Sequence, residues 1–164
     1  MADRREPKNP KSCHERALGL LAVRPRSRRE LERRLLIARF EPDEVQDVLT
    51  RLERVGLVDD EAFARQYAEH RFGSRKEGSR GVEQGLREAG IAPALAASSV
   101  VEGTPDDDEE RAAELARSRA SRFRGVAPQK AFARLSSLLM RRGYSPEIAR
   151  SAARKALDIA FQDE

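Results

Sequence analysis

The sequence predicts an all-α protein built of three tandem three-helix repeats that form an elongated, curved array. A proline recurs three times in the same setting, after one apolar-periodic segment and before another, at Pro42, Pro93 and Pro146. An apolar pair four residues apart precedes each proline at a fixed distance, and the pairs are Leu31/Leu35, Val82/Leu86 and Leu135/Leu139. Repeats of this kind stack on their neighbours and usually present a binding surface.

The first group of helices has clear start signals. A helix over about residues 14–23 ends before Pro25, and Ser27 with Glu30 forms a capping box for the second helix. Pro42 suits the first turn of the third helix, where its missing N–H has no helical partner. That helix then carries an apolar face at i, i+3, i+4 and i+7 spacing, formed by Val45, Val48, Leu49 and Leu52.

The second group begins at Asp59-Asp60-Glu61, where acidic side chains favour the positive end of a helix. Its first helix extends to about Phe72, and residues 73–79 form a polar loop. The second helix ends at Gly90 and the third begins at Pro93. This second helix contains two interior glycines, each of which costs about 1 kcal/mol relative to alanine; they are Gly81 and Gly85.

The third group repeats the scheme. Thr104 is expected to cap its first helix and Pro105 to open it, with acidic residues in the first turn. A turn over residues 125–128 precedes the second helix, and Pro146 opens the last. No segment fits a strand better than a helix, so we expect about nine helices. Residues 1–12 are expected to be disordered, and the helices are expected to form three repeats, over residues 13–59, 60–103 and 104–164.

The composition limits the classes of protein. Charged residues make up 37% of the 164 residues and aromatic residues 5%, so the core must be aliphatic and thin. Cys13 is the only cysteine, which excludes an internal disulfide. No apolar run approaches the ~20 residues of a membrane span, and the polar N-terminus lacks the apolar stretch of a signal peptide. We therefore expect a cytoplasmic protein.

Candidate catalytic and metal-binding residues are few. Cys13 and His14 are adjacent and point about 100° apart on a helix, and His70 stands alone. One cysteine and two histidines are too few for a zinc site of the usual type. The acidic run 106–110 is better explained as a helix start than as a metal site. We expect no catalytic site, no cofactor and no metal.

Basic clusters are the stronger functional signal, because arginine forms paired hydrogen bonds with phosphates and carboxylates. The net charge is only +4, and solvated helix faces or a genomic preference for arginine explain many of these residues equally well. A DNA-reading helix over 42–55 is disfavoured by its acidic start. The candidate partner-binding residues are Arg24, Arg28, Arg29 and Arg34 in the first group and Arg71, Arg75, Lys76 and Arg80 in the second.

Three sequence motifs stand out in the first two groups of helices. The first is Arg24-x-x-Ser27-x-x-Glu30-Leu31-x-x-x-Leu35, and the second includes Gly56-Leu57-Val58-Asp59-Asp60-x-x-Phe63-Ala64. The third is Lys76-Glu77-Gly78-Ser79-Arg80-x-Val82-x-x-x-Leu86-x-x-x-Gly90-Ile91. Together these motifs resemble those of the RecX family over roughly residues 17–101, whereas the third group matches mainly through its repeat pattern.

The resemblance implies a regulator that binds the RecA–DNA filament and dampens RecA recombinase, ATPase and coprotease activity in DNA repair and recombination. It also implies a monomer whose partner is the RecA filament, with any direct contact to DNA weak and not sequence-specific. Two alternatives stay open from the residues alone: a helical nucleic-acid-binding protein that acts without RecA, and a plain helical adaptor. Gly81 and Gly85 depart from the family pattern, as does Ala89, which predicts a more flexible and less basic middle repeat.

Overall fold

The computed structural model describes residues 11–103 and 107–162, and for residues 159–162 it describes the backbone alone. These residues contain nine α-helices, one 3-10 turn and no strand, which confirms the all-α prediction. The chain divides into two compact units, residues 1–63 and 64–164.

The first unit contains three helices and the start of a fourth. The helices α1 (Cys13–Val23), α2 (Arg28–Ile37) and α3 (Pro42–Arg54) pack against one another. Their shared core is formed by Cys13, Ala17, Leu31, Leu35, Val45, Val48, Leu49, Leu52 and Val58. The four residues of the predicted α3 face are all buried, so the helical spacing did identify this core.

The second unit contains the remaining helices. The boundary at 63/64 falls within α4 (Asp60–Gly73), which is followed by α5 (Ser79–Glu88) and α6 (Pro93–Gly103). Next come α7 (Asp108–Ala120), a 3-10 turn at Ser121–Phe123, α8 (Pro128–Arg141) and α9 (Pro146–Gln162). Both α7 and α8 pack on α9 around a core dominated by alanine and leucine, which fits the predicted thin aliphatic interior.

The repeating signals of the sequence correspond to repeating structure. Each of the three recurrent prolines is the first residue of a helix: α3, α6 and α9. All six residues of the apolar pairs have no exposed side-chain surface. The same two-helix geometry is therefore built three times, by α2–α3, α5–α6 and α8–α9.

The joint before each proline needs a residue in the left-handed region. Gly90 and Gly143 have φ of +86° and +88°, and the corresponding residue of the first joint, Arg39, has φ of +67°. Glycine adopts this conformation without steric cost, whereas an L-residue such as arginine does so at a cost. The first joint is thus the strained member of the set.

Pairs of aspartates connect successive groups of helices. Asp59 Oδ1 accepts the Ala62 N–H at 3.0 Å and caps α4, while Asp60 Oδ1 accepts the Arg28 N–H at the start of α2 at 2.8 Å. Asp107 likewise caps α7. Its neighbour Asp108 accepts from both the N–H and the hydroxyl of Ser79 at the start of α5, at 3.0 and 2.9 Å. The acidic runs are helix starts, as predicted, and their second aspartates also satisfy orphan donors of an earlier helix.

The glycines of α5 have close neighbours. A Cβ added to Gly81 would lie 3.0 Å from Gly143 Cα, and one added to Gly85 would lie 2.2 Å from the Tyr67 hydroxyl oxygen. Gly78, just before α5, donates its N–H to Arg142 O at 2.8 Å. These glycines permit a close approach between α5 and two other elements, which the sequence pattern alone did not indicate.

Some predicted features fall outside the described residues. Residues 1–10 of the predicted disordered segment are among them, whereas Ser12, from the same segment, accepts the Glu15 N–H at 3.2 Å and caps α1. Thr104 and Pro105, the predicted start of α7, also lie outside; the described helix begins at Asp108. Among the described helices, none is long and apolar enough to cross a membrane.

Candidate partner-binding surface

The first predicted cluster is organised around one carboxylate, Glu30. Its Oε1 accepts from Arg24 Nη2 at 2.5 Å and from Arg34 Nε at 3.2 Å, and Arg26 Nη1 contacts the same oxygen. Arg26 is 6% exposed and also donates from Nε to Leu20 O at 3.1 Å. Ser27 Oγ accepts the Glu30 N–H at 3.1 Å, which confirms the predicted serine cap.

The electrostatics of Glu30 follow from this arrangement. Burial by itself would raise the pKa of the Glu30 carboxyl, but the hydrogen bonds and charges of Arg24 and Arg26 outweigh burial and hold that pKa below its usual value. Glu30 therefore stays ionised. Three guanidinium groups around one carboxylate leave the site with an excess of positive charge.

The other two predicted residues of this cluster differ from each other. Arg28 links α2 to α3, because its Nε lies 3.0 Å from Glu53 Oε1 and its Nη2 donates to Gln46 Oε1 at 2.9 Å. Arg29 is exposed and has no ion pair or side-chain hydrogen bond with another described residue. Arg29 is thus the member of this cluster that reaches solvent without an internal partner.

The second predicted cluster surrounds the α4–α5 loop, residues 74–78. Arg71 Nη1 lies 2.7 Å from Glu77 Oε1, and its guanidinium carbon is 4.7 Å from the centre of the Tyr67 ring. Lys76 Nζ lies 3.0 Å from Glu114 Oε2 on α7. Both cations therefore already have carboxylate partners within the second unit.

Arg75 and Arg80 are exposed, and neither guanidinium pairs with another described residue. Together with Arg29 they form a set that we call the open arginines. The structure thus separates the eight predicted residues into three open arginines and five cations held by internal partners. The first cluster lies in the first unit and the second cluster in the second unit.

Sequence reasoning missed three residues that shape these clusters. Arg26 is the most buried arginine at Glu30, while Arg142 and Tyr144 donate to the backbone of the α4–α5 loop. Arg26 lies inside the basic run 24–34, so its charge was visible but its burial was not. Nothing in the local sequence of Tyr144 indicates a partner at Lys76.

The side chains at these surfaces offer charges and hydrogen-bond donors. A cleft of about 320 Å³ beside the second cluster is lined by both signs of charge, including Arg71, Glu77, Glu88 and Arg141. Within residues 11–103 and 107–162, no three His, Cys, Asp or Glu side chains are grouped to hold a metal ion. Exposed arginines with free donors suit phosphate or carboxylate groups on a partner.

Comparison with known proteins identifies the family. Models of the first, second and third three-helix domains of RecX match residues 13–52, 59–99 and 106–153. The chain belongs to the RecX family. The predicted resemblance is therefore confirmed, and it extends through the third group of helices, which the sequence motifs alone covered weakly.

Individual RecX proteins agree with this assignment. The regulatory protein RecX of Streptomyces coelicolor is 34% identical over 89% of this chain and 78% of its own length. That of Corynebacterium efficiens is 32% identical over 98% of this chain and 79% of its own. The crystal structure of RecX from Lactobacillus salivarius shares the fold with a TM-score of 0.72 at 21% identity, covering 90% of this chain and 95% of that one.

Proposed function

We propose that this chain binds the RecA–DNA filament and inhibits the recombinase, ATPase and coprotease activities of RecA. The observation that carries the proposal is the match to all three RecX domains along one chain whose relatives are named regulatory proteins. A regulator of this kind acts as a cytoplasmic monomer through contact alone, and it needs neither a catalytic step nor a cofactor.

The open arginines are the primary contacts in this proposal. Arg29, Arg75 and Arg80 gain new ion pairs on binding without breaking internal ones. Arg24, Arg28, Arg34, Arg71 and Lys76 must share or exchange a carboxylate partner, and that exchange offsets part of the gain. Their partners on the filament are acidic side chains or phosphates.

The test is ATP hydrolysis by the cognate RecA on single-stranded DNA, titrated with this protein below one molecule per RecA. Inhibition predicts a fall in the hydrolysis rate at these low ratios, because one bound regulator acts on several filament subunits. A rate that stays constant up to equimolar protein would contradict the proposal, and an increase would replace inhibition with stimulation.

Charge reversal identifies the contact residues. The variant Arg29→Glu/Arg75→Glu/Arg80→Glu should weaken filament inhibition about tenfold, since each lost rim ion pair costs about 0.2–1 kcal/mol and like charges then repel. The matched control is Lys130→Glu/Arg134→Glu/Arg150→Glu, which reverses three exposed charges on α8 and α9. Equal effects of the two variants would mean that net charge, rather than these three arginines, determines binding.

Binding to DNA alone is the competing function. A nucleic-acid-binding protein would bind single-stranded DNA without RecA, and its affinity would fall steeply with salt as counterions are released. Fluorescence anisotropy of labelled DNA at two salt concentrations distinguishes the two functions. Strong salt-dependent binding together with an unchanged ATPase rate would favour this alternative over the RecA regulator.

A further inference from the structure

The basic α4–α5 loop is held by the joint between α8 and α9. Tyr144 donates its hydroxyl to Lys76 O at 2.7 Å, and Arg142 Nη1 donates to Arg75 O at 2.6 Å. A third bond runs the other way, from Gly78 N to Arg142 O, at 2.8 Å. Three hydrogen bonds thus connect two elements that are more than sixty residues apart in the chain.

The loop needs this support because its conformation is unfavourable by itself. Lys76 has φ of +51°, in the left-handed region, where an L-residue costs roughly 1–2 kcal/mol. A Cβ on Gly78 would lie 2.5 Å from Gly143 O, so the loop backbone rests directly on the joint backbone. Conformations of this kind persist only when the surrounding contacts determine them.

The loop also carries the charges of the second cluster. Arg75 and Lys76 lie within it, and Arg80 follows in the first turn of α5. The carbonyl groups that accept from Arg142 and Tyr144 belong to Arg75 and Lys76 themselves. Losing either hydrogen bond therefore changes where these two cations point, although neither donor has to touch the partner.

We propose that Tyr144 and Arg142 are positioning residues, which fix the Arg75–Lys76 segment in the conformation that binds the partner. The third group of helices then contributes to binding through the loop that it holds, in addition to any contact of its own. The loop-holding half of this inference stands on the structure alone, whereas its effect on filament binding rests on the proposed function.

The experiment uses the full chain with the variants Tyr144→Phe and Arg142→Met. Tyr144→Phe removes the hydroxyl and keeps the ring in the core, and Arg142→Met removes the guanidinium and keeps an aliphatic side chain. The matched control is Arg134→Met, because Arg134 is an exposed arginine on α8 that carries the same charge and lies outside the lining of the cleft beside the second cluster.

Two quantities are measured for each variant. The first is the rate of limited trypsin cleavage after Arg75 and Lys76, identified by fragment mass, since trypsin cuts a loop that opens locally. Loss of its hydrogen bond should increase this rate about fivefold in Tyr144→Phe and in Arg142→Met, and the rate should stay unchanged in Arg134→Met. The second is inhibition of RecA ATP hydrolysis, which should weaken in the same two variants and not in the control.

The outcomes separate this inference from the proposed function. Unchanged cleavage in both variants overturns it, whatever happens to inhibition. Faster cleavage with undiminished inhibition also overturns it if Arg29→Glu/Arg75→Glu/Arg80→Glu does weaken inhibition, because the loop conformation is then irrelevant to binding. If that charge reversal has no effect either, the proposed role of the open arginines fails, and the cleavage rates still decide whether Tyr144 and Arg142 hold the loop.

Discussion

Arg39 has a backbone conformation that an L-residue adopts only at a cost in energy. It has φ of +67° at a joint where the two equivalent residues are glycine, and its side chain is exposed. Arg39→Gly should raise the free energy of unfolding by about 0.5–1 kcal/mol, because the left-handed strain outweighs the extra freedom of glycine in the unfolded chain. Urea denaturation measures the change.

The control for this substitution is Arg39→Ala, which removes the same charge and keeps the strain. Its free energy of unfolding should stay close to that of the unmodified chain. If Arg39→Gly were no more stable than Arg39→Ala, the conformation at this joint would carry no appreciable strain.

The burial of Tyr144 makes the stability of the folded protein depend on pH. Burial raises the pKa of Tyr144 to about 12, with the charges of Arg111 and Asp108 acting in opposite directions. The folded state favours the protonated phenol, so the contribution of Tyr144 to the free energy of unfolding is complete below pH ~10. This contribution, about 3 kcal/mol, is lost as the pH rises towards 12. The ultraviolet absorbance of tyrosinate, recorded during alkaline titration, should show this delay.

The pKa of Tyr67 is also raised, again first by burial, so neither tyrosine should titrate at its usual pH in the folded chain. In denaturant both should titrate near pH 10. The variant Tyr144→Phe should lose the steepest part of the alkaline decline in stability. Tyrosinate formation near pH 10 in the folded protein would show that Tyr144 is not shielded.

At the scale of the element, α1 and α5 each contain a glycine, and the surroundings of the two glycines differ. Gly19, inside α1, has no atom within 4 Å of the position of an added Cβ, whereas a Cβ on Gly81 in α5 would meet two backbone atoms, Gly143 Cα at 3.0 Å and Arg142 O at 3.2 Å. Gly19→Ala should therefore stabilise the protein by about 1 kcal/mol. Gly81→Ala should destabilise it by about 1–3 kcal/mol, because α5 must move away from the α8–α9 joint.

Thermal unfolding of the two alanine variants checks this contrast, and each serves as the control for the other. A stabilising Gly81→Ala would mean that the close approach at Gly143 can relax easily. In that case Gly81 would only weaken the helix, as its sequence context suggested.

At the scale of the whole molecule, helix boundaries and core positions were predictable from the sequence, whereas contacts between residues far apart in the sequence were not. The prolines, the apolar pairs and the aspartates at helix starts are local patterns, and each gave a helix boundary or a core residue. Lys76 Nζ pairs with Glu114 and Ser79 donates to Asp108, both on α7, and no spacing rule connects residues so far apart in the chain. For the same reason the basic clusters were visible in the sequence, but the division into open and internally paired cations was not.

The aspartate pairs also bear on how such a chain can change in length. Asp60 and Asp108 occupy the same place in successive groups, and each closes the helix start that the preceding group leaves open. A second or third group that is duplicated as a whole therefore brings its own acceptor, and each helix start that is followed by such a group keeps its hydrogen bond. Gene duplication can therefore lengthen a chain of this design without the need for a new contact between successive groups.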